Sequence, residues 1–524
     1  MATQITSNKK EILVGINTVG DLSRVTLGPR GKNQAIDKGF GAPNITNDTV
    51  SIVREITLSD KFQNMGAEVI KEIAEETYDK LRDSTTTAVV LGQAIANEGT
   101  KHNVSNVMEL RDDMKSATNH VIEVLRELAR PVETIEDLKQ VAFRSSESME
   151  IAEVVAKAVN EVGKNGMITI EGSTEEGIRY EVGEGMEINE GYISSEMVTD
   201  KEVMDAEYLN PLVLVTDKRI SSIQEMLPLF GKLVKAGKKE LVIIADDVDG
   251  DALTTFVLNK KAGTFNVLAI KAPGYGERKK EELKDIAINL GADIISDETG
   301  LRLETVELRS LGRATKIVSK KRKTLIMGGG GNLIGQRVEE IKRQIKESKS
   351  KYDKEKLEER LAKLLGKVGV IHVGVNSPAE MRYLKKKIEN SINSTQMAAD
   401  EGIVMGGGSA LVKAVRIVRS ETVDNSIGYR IVLKACEAPF REIINNSGKR
   451  LNLWNRLFNK DKLIKAVATS EDNCGYDALR NELVYDMFDA GIVDPVKSTI
   501  VSLQIASDSI ALLLTCGSAI TNEK

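Results

Sequence analysis

Residues 83–99 read DSTTTAVVLGQAIANEG and place one acid and four hydroxyl residues directly before an apolar helical segment. The free amides and the positive dipole end of a helix attract phosphate, hydroxyls add donors, and a carboxylate can hold Mg²⁺. The competing interpretation is an Asp83 N-cap on a threonine-rich first turn, which is a common way to begin a helix. By itself, the segment does not decide between these two interpretations.

Two glycine-containing segments could complete a nucleotide site. Residues 26–31 read TLGPRG at the end of the opening helix, where glycine would let the backbone approach a ligand closely and proline would restrict φ. Residues 406–408, GGG, precede another helical segment and could pack against an adenine or a ribose. An ordinary turn and a flexible hinge are the competing interpretations. The chain contains no GxxxxGK[ST] sequence, so a P-loop is excluded.

The periodicity of apolar residues changes twice along the chain. Residues 61–81 show a helical stripe, and long aliphatic helices return after residue 395. Between them, residues 210–218, 239–247 and 265–273 are short β-branched runs separated by helical patterns, which indicates a parallel sheet with crossover helices.

A charged segment, residues 336–368, has apolar residues at helical spacing and is predicted to form a helical hairpin on a surface. The simplest architecture is an all-helical region split by an inserted α/β region. Segments near 130–183 and 370–402 are expected to connect the two.

Composition limits the class of protein. The 524 residues exceed what one hydrophobic core organises, so two or three domains are expected. A net charge of −5 argues against nucleic acid as a partner, and no window reaches the ~18 apolar residues of a membrane span. Three cysteines without paired spacing indicate free thiols in a reducing compartment, so a cytoplasmic protein is expected.

Taken together and in order, these motifs resemble the group I chaperonins of the GroEL type from residue 10 to 520. The resemblance also rests on GFGAPNITNDTV (39–50), KFQNMGAEVIKE (61–72), KAPGYGERKK (271–280), YDKEKLEERLAKL (352–364) and GIVDP (491–495). It implies a multidomain α and α/β fold in three parts. These are an all-helical equatorial domain (1–129 and 403–524), a small α+β intermediate hinge domain (130–183 and 369–402) and an inserted α/β apical domain (184–368).

The resemblance implies ATP and Mg²⁺ as cofactors, with K⁺ as a further candidate. Asp83 is the expected metal ligand. The implied nucleotide-binding residues are Thr26, Leu27, Gly28, Pro29, Asn47, Asp83, Ser84, Thr85, Thr86, Thr87, Gly407, Asp477, Ala478, Leu479 and Asp494. Asp494 corresponds to the carboxylate that binds the ribose.

The resemblance also implies an apolar row in the apical domain that binds non-native polypeptides and a GroES-type co-chaperonin. The matching residues are Tyr192, Met197, Leu227, Phe230, Leu253, Val257 and Leu258. An exposed apolar row suits such clients because the binding free energy depends on the apolar area buried rather than on any particular client sequence. Glu196 replaces an aromatic residue of the family and is expected to narrow the row.

Departures from the family pattern predict altered chemistry. Asn390 stands where the family has a catalytic aspartate, and an amide cannot accept a proton as a carboxylate does. Asp48 matches a second carboxylate near the γ-phosphate. Slow ATP hydrolysis is therefore expected. Asn47 replaces a lysine. Thr49 and Ser84 replace glycines, and their added Cβ atoms should restrict how closely the backbone approaches the phosphate.

The resemblance implies a homo-oligomeric, seven-membered ring, single or double. Arg441 and Arg450 fall where family members pair an arginine with a glutamate between rings, and an insertion within residues 451–472 carries Trp454 and Phe458. These changes predict an altered contact between rings.

Three functions follow from these observations. The leading prediction is an ATP-dependent chamber that encloses non-native proteins. The second is an ATP-binding ring that acts as a holdase or scaffold with little or no ATPase activity. The third, an unrelated α/β enzyme, is disfavoured because the central segment has no GxGxxG sequence and no acid, base or nucleophile cluster.

Overall fold

A computed structural model describes residues 3–6, 9–37, 43–102, 104–163, 166–173, 175–200, 204–329, 331–348, 350–375, 377–422, 426–448 and 460–522. The chain divides into two compact units. The outer unit contains residues 1–157 and 375–524, and the inserted unit contains residues 158–374. The three-domain boundaries, with their separate hinge domain, stay a prediction.

The described helices cover most of the outer unit and alternate with strands in the inserted unit. They are α1 (Lys10–Arg24), α2 (Thr49–Glu55), α3 (Lys61–Leu81), α4 (Thr85–Gly99), α5 (Val107–Glu127), α6 (Ile135–Ser146), α7 (Met149–Val162), α8 (Leu227–Lys235), α9 (Gly250–Lys261), α10 (Glu277–Leu290), α11 (Ile334–Glu347), α12 (Lys351–Leu364), α13 (Pro378–Glu401), α14 (Ser409–Glu421), α15 (Ile427–Ala435), α16 (Ala438–Asn446), α17 (Lys460–Thr469) and α18 (Val496–Thr515).

The described strands are short in the outer unit and longer in the inserted unit. They are β1 (Thr3–Thr6), β2 (Gln34–Ile36), β3 (Asn44–Thr46), β4 (Met167–Gly172), β5 (Gly177–Ile188), β6 (Ala206–Leu209), β7 (Leu212–Thr216), β8 (Arg219–Ile220), β9 (Glu240–Ala245), β10 (Asp247–Val248), β11 (Asn266–Lys271), β12 (Ile294–Ile295), β13 (Gly312–Ser319), β14 (Thr324–Gly329), β15 (Lys367–Gly374), β16 (Ile403–Met405), β17 (Gly475–Asp477), β18 (Glu482–Val484), β19 (Val493–Pro495) and β20 (Ala519–Asn522).

Helices α1 and α3 of the outer unit cross at glycines. A Cβ at Gly15 would stand 1.7 Å from the carbonyl oxygen of Gln63, and a Cβ at Gly66 would stand 1.9 Å from that of Ile12. Both distances are far inside van der Waals contact, so only glycine lets the two backbones approach this closely. The crossing therefore holds α1 closely against α3, and the TLGPRG segment follows shortly after the C-terminal end of α1.

Helices α4 and α18 occupy the centre of the outer unit and share its aliphatic core with α1, α3, α5, α14 and α15. Among the described helices, α18 alone is long and apolar enough to cross a membrane. Its 18-residue apolar window is 56% buried inside the protein, which is also typical of a core helix. The length and composition of α18 are therefore weak evidence for a membrane span.

The small β-pairs of the outer unit were not predicted. Strand β16 pairs antiparallel with β19, with Val404 opposite Asp494. This pairing brings two segments 90 residues apart into one local structure, and it places the glycines after β16 beside Asp494.

The inserted unit is built on a mixed sheet in the order β11-β9-β7-β13-β14-β5-β15-β4. Strands β7, β9 and β11 are parallel neighbours, and α8 and α9 lie between them in sequence. This arrangement confirms the predicted parallel strands with crossover helices. The charged segment forms α11 and α12, as predicted for a helical hairpin.

Candidate functional site

Three threonine hydroxyls join the ends of three elements in the outer unit. Thr49 Oγ1 lies 2.6 Å from Thr86 Oγ1. Thr26 Oγ1 lies 3.4 Å from Thr49 Oγ1 and 3.5 Å from Thr86 Oγ1, and it donates to the Ser23 carbonyl at 2.8 Å. The segment after α1, the start of α2 and the start of α4 therefore meet at one point.

Helix α4 does not begin with the Asp83 N-cap that the competing interpretation required. Its N-cap is Ser84, which makes no side-chain capping bond, so the first-turn amides are not capped by a side chain. Ser84 has φ 56° and ψ 18° in the left-handed region, where a non-glycine residue is strained. Asp83 therefore does not cap α4.

Asp83 is held by groups from two other helices. Its Oδ2 accepts hydrogen bonds from Arg144 Nη1 on α6 at 2.9 Å and from Ser394 Oγ on α13 at 2.6 Å. Its Oδ1 accepts from the Ser84 backbone amide at 2.6 Å. A carboxylate expected to bind metal is therefore already surrounded by donors.

Arg144 also reaches the carboxylate expected to bind ribose. Its Nε lies 2.5 Å from Asp494 Oδ1, while Asp494 Oδ2 accepts from the Gly407 backbone amide at 3.1 Å. Gly407 has φ 63°, a conformation that glycine adopts readily. The guanidinium thus bridges Asp83 and Asp494, two residues that are more than 400 positions apart in the chain.

Arg144 lowers the pKa of both carboxylates, but their net shifts are opposite because burial outweighs the charge of Arg144 only at Asp494. Burial raises the pKa of Asp83, but the charge of Arg144 and the hydrogen bonds from Ser394 and Ser84 outweigh it, so the pKa lies below its usual value. Burial dominates at Asp494 and raises its pKa, against the opposing charge of Arg144. Asp83 is therefore ionised at neutral pH, as a metal ligand must be.

Helix α13 presents three polar side chains at four-residue spacing, Lys386, Asn390 and Ser394, which places them on one face. Lys386 Nζ contacts Asp48 Oδ2 at 2.7 Å, and Ser394 contacts Asp83. Asn390 lies between these two contacts and is half-buried. The role of Asn390 as the counterpart of the family's catalytic aspartate stays a prediction.

Asp48 is the N-cap of α2, where it accepts from the Ser51 amide at 3.0 Å and from the Ser51 hydroxyl at 2.5 Å. Burial raises the pKa of Asp48, but Lys386 and the Ser51 donors outweigh it and lower the pKa below its usual value. Asp48 is therefore a weak base that already holds a cation.

The TLGPRG segment is fastened to the C-terminal part of the outer unit. Gly28 has φ 85°, and Asn446 Nδ2 donates to the Arg24 and Leu27 carbonyls at 2.8 and 3.0 Å. Arg30 Nη2 donates to the Leu479 carbonyl at 2.5 Å. Residues 26–30 and 477–479 are thus brought together by the fold.

The Asp477 carboxylate accepts hydrogen bonds from backbone amides of its own turn. Its Oδ1 accepts from the amides of Leu479 and Arg480 at 2.7 and 3.0 Å. Ala478 is buried, whereas the Leu479 side chain is 55% exposed. Only the exposed leucine presents its side chain for contact with a base without rearrangement of this turn.

The remaining residues predicted to bind the nucleotide lie next to residues already described. Thr85 is buried in the first turn of α4 beside half-buried Thr87, and Pro29 follows Gly28. Asn47 is exposed and immediately precedes the Asp48 N-cap.

The chemistry of these groups fits a magnesium nucleotide. Asp83 is an ionised oxygen donor, the α4 amides are without a side-chain cap, and Asp494 and Gly407 lie together opposite them across Arg144. Mg²⁺ is usually bound by one or two carboxylates together with substrate phosphates and water, so a dedicated cluster is not required. The described residues contain no group of three or more His, Cys, Asp or Glu that could hold a metal ion alone.

The predicted apolar row of the inserted unit is only partly exposed. Leu227 on α8 and Leu258 on α9 are 49% and 60% exposed. Phe230, Leu253 and Val257 are half-buried, and Phe230 contacts Phe256 of α9 edge-to-face with ring centroids 5.6 Å apart. Phe230 therefore joins α8 to α9, and each of these helices carries one exposed leucine of the row.

Two members of that row require correction. Met197 is 1% exposed and its sulfur accepts from the Ala269 amide at 3.3 Å, while Tyr192 is 9% exposed and its backbone pairs with the strand at Ile270. Both side chains belong to the core of the inserted unit, so they do not contribute to the exposed surface. Exposed Glu196 is paired with Lys261 at the end of α9, Nζ to Oε2 2.8 Å.

Arg441 is not an unpaired charge. Its Nη2 lies 2.9 Å from Glu437 Oε2 and its Nη1 lies 2.7 Å from Asp461 Oδ1, so two acids of the same chain satisfy it. Glu437 and Asp461 therefore offset the charge of Arg441, and the altered contact between rings stays a prediction. Arg450, Trp454 and Phe458 lie outside the described residues.

Sequence reasoning missed Arg144, Lys386 and Ser394. The four-residue spacing of Lys386, Asn390 and Ser394 on a predicted helix was a usable signal for two of them. No sequence pattern indicated Arg144, because a single arginine on an amphipathic helix is ordinarily a solvated residue.

Known proteins match this chain over nearly its whole length. A model of the TCP-1/cpn60 chaperonin family matches residues 19–524. Two crystal forms of the chaperonin gp146 from bacteriophage EL 2 (Pseudomonas aeruginosa), both in the presence of ATP-BeFx, have similar folds. Form II has a TM-score of 0.74 at 20% identity, and form I has 0.67 at 21%; each match covers 98% of both chains.

Proposed function

The chain belongs to the TCP-1/cpn60 chaperonin family, and we propose that it is an ATP-dependent chaperone that forms a ring chamber around non-native proteins. The observation that carries this proposal is the convergence of Asp83, Asp494 and the uncapped start of α4 in the outer unit. The presence of ATP-BeFx in the crystals of the similar phage chaperonin supports a nucleotide as the ligand.

In this proposal each segment has a defined task. The α4 amides and the threonine hydroxyls bind phosphate oxygens, Asp83 holds Mg²⁺, and Asp494 with Gly407 orients the ribose. Bound Mg²⁺ would neutralise phosphate charge at this point. Residues 26–30 and 477–479 close the site from the other side.

The exposed surface of α8 and α9 is the proposed client site. Leu227 and Leu258 present apolar area, with half-buried Phe230, Leu253 and Val257 around them. Non-native chains expose apolar side chains, and burying these on α8 and α9 gains ~25 cal/mol per Å². A GroES-type co-chaperonin is the proposed competitor for the same surface.

Slow hydrolysis is the second part of the proposal. Asn390 cannot accept a proton from an attacking water, and Asp48 is neutralised by Lys386. Loss of general-base assistance costs ~10²–10⁴ in rate. These two observations also favour the alternative function, a ring that binds ATP and holds clients with little or no hydrolysis.

The assembly and its surroundings are proposed from the family. We expect a seven-membered homo-oligomeric ring, single or double, with K⁺ as a further ion, in the cytoplasm. The three cysteines lie in the described residues without a disulfide, which suits a reducing compartment.

Electron microscopy with and without ATP, run beside a phosphate-release assay, tests the proposal. Rings that change shape with ATP and refold a stringent client with a GroES-type partner would support the chamber. Rings that bind ATP and retain the client without releasing phosphate would support the holdase. A monomer that ignores ATP would refute both.

A further inference from the structure

Arg144 connects two carboxylates that the proposed function assigns to different parts of a nucleotide. Its side chain is 30% exposed, and those of Asp83 and Asp494 are 18% and 17% exposed. A guanidinium offers several donors in a rigid plane, so a single side chain can satisfy both acids at once. The cation therefore stands between the proposed metal ligand and the proposed ribose ligand.

Every oxygen of the two carboxylates is already in contact with a donor or a cation. Asp83 Oδ1 accepts from the Ser84 amide and Oδ2 from Arg144 and Ser394, while Asp494 Oδ1 forms an ion pair with Arg144 Nε and Oδ2 accepts from the Gly407 amide. A divalent ion at Asp83 Oδ2 would meet the positive charge of Arg144 at contact distance. Two cations repel strongly at that separation in a partly buried site.

We infer that Arg144 is an internal occupant of the metal position, which keeps Asp83 and Asp494 paired until a divalent ion displaces its guanidinium. The inference rests on the proposed function for the assignment of Asp83 to Mg²⁺. Arg144 is a positioning residue here, because it acts through the two carboxylates.

Displacement of Arg144 would be transmitted to two helices. Ser391 Oγ on α13 donates to the Ala142 carbonyl on α6 at 3.0 Å, so α6 and α13 are joined beside Arg144. Ser394 of α13 contacts Asp83 as well. Metal arrival at Asp83 thus releases one contact of α6 and competes with one contact of α13, which couples the ion to both helices.

Arg144→Met tests the inference because it removes the charge and retains most of the apolar stem. The matched control is Arg111→Met on α5, whose guanidinium pairs with Asp112 at 3.1 Å on the surface. Mn²⁺ alone, followed by electron paramagnetic resonance, is the probe. We expect Arg144→Met to bind Mn²⁺ about tenfold or more tightly than the unaltered protein, because two carboxylates lose their competing cation. The control should match the unaltered protein.

A second measurement follows ADP binding at fixed ADP while Mg²⁺ is varied. In Arg144→Met the Mg²⁺ concentration for half-saturation should fall about tenfold. Unchanged or weaker Mn²⁺ affinity in Arg144→Met overturns the inference. If that variant does not fold, Arg144→Lys decides: a point charge that reaches one carboxylate should tighten Mn²⁺ binding about threefold, and no tightening refutes the inference.

If the proposed nucleotide site is wrong, the result differs from the one expected if only the inference about Arg144 is wrong. If the unaltered protein binds no ADP at any Mg²⁺ concentration, the nucleotide site is wrong. The Mn²⁺ comparison still decides whether Arg144 competes with a divalent ion at Asp83.

Discussion

Lys386 on α13 forms an ion pair with Asp48 at the start of α2, with 2.7 Å between Nζ and Oδ2. Asn390 follows one helical turn later on the same face. One helix therefore supplies a cation to one proposed catalytic position and an amide to the other. Both features reduce the basic character of the proposed hydrolytic site.

Restoring a carboxylate at position 390 should accelerate ATP turnover. Asn390→Asp introduces a group that can accept a proton from water, and we expect kcat to rise about tenfold or more. Steady-state phosphate release measures the effect. The control is Asn393→Asp on the same helix, where the native amide donates to the Glu389 carbonyl at 2.7 Å. Equal rates for the two variants would contradict the role of position 390.

Removing the cation beside Asp48 should make stability less sensitive to acid. The lowered pKa of Asp48 contributes stability above its unfolded value of about 3.9, and this is lost as pH falls through the lower folded pKa. The Lys386 side chain is 38% exposed, so Lys386→Met should cost no more than about 1 kcal/mol at pH 7.

Urea unfolding of Lys386→Met at pH 7 and pH 3 measures this difference. Lys385→Met is a control on the same helix, since residue 385 forms no ion pair with any part of the chain that the structure describes. A loss of stability that is as large at pH 3 as at pH 7 would show that packing, rather than charge, is responsible.

Glycine at position 84 should stabilise the protein. Ser84 has φ 56° and forms no capping bond, so Ser84→Gly relieves left-handed strain at the start of α4. We expect about 0.5–1 kcal/mol of added stability after the greater chain entropy of glycine is counted. Thermal unfolding measures it. Ser420→Gly in the exposed last turn of α14 is the opposite case and should destabilise, because its backbone is helical.

Polar substitutions on α8 and α9 should weaken client capture. Leu227→Ser with Leu258→Ser removes the two exposed leucines of the row, and we expect binding of a denatured client to fall about fivefold or more with little change in stability. Leu209→Ser is the control, because Leu209 is also 60% exposed but lies on β6 outside the row. An equal loss for Leu209→Ser would show that any exposed leucine contributes to binding, and would contradict a specific role for the row.

The sequence by itself determined the long helices of the outer unit and the parallel strands of the inserted unit, but not the small β-pairs of the outer unit. Residues 61–81 form one helix as their periodicity predicts, because a helix buried on one side shows apolar residues at helical spacing. The β-branched runs form parallel strands, because strands buried on both sides appear as short continuous apolar runs. The resemblance supplied Asp83, Asp494 and Asn390 as positions of interest.

Only the tertiary structure decided which of these residues meet. The bridge from Asp83 through Arg144 to Asp494 joins three segments distant in the chain, and no local pattern specifies such a contact. Burial of Met197 depends likewise on the strand packed beside it. Pairing of charges and burial of side chains are properties of the assembled unit, since each depends on neighbours that the fold alone brings together.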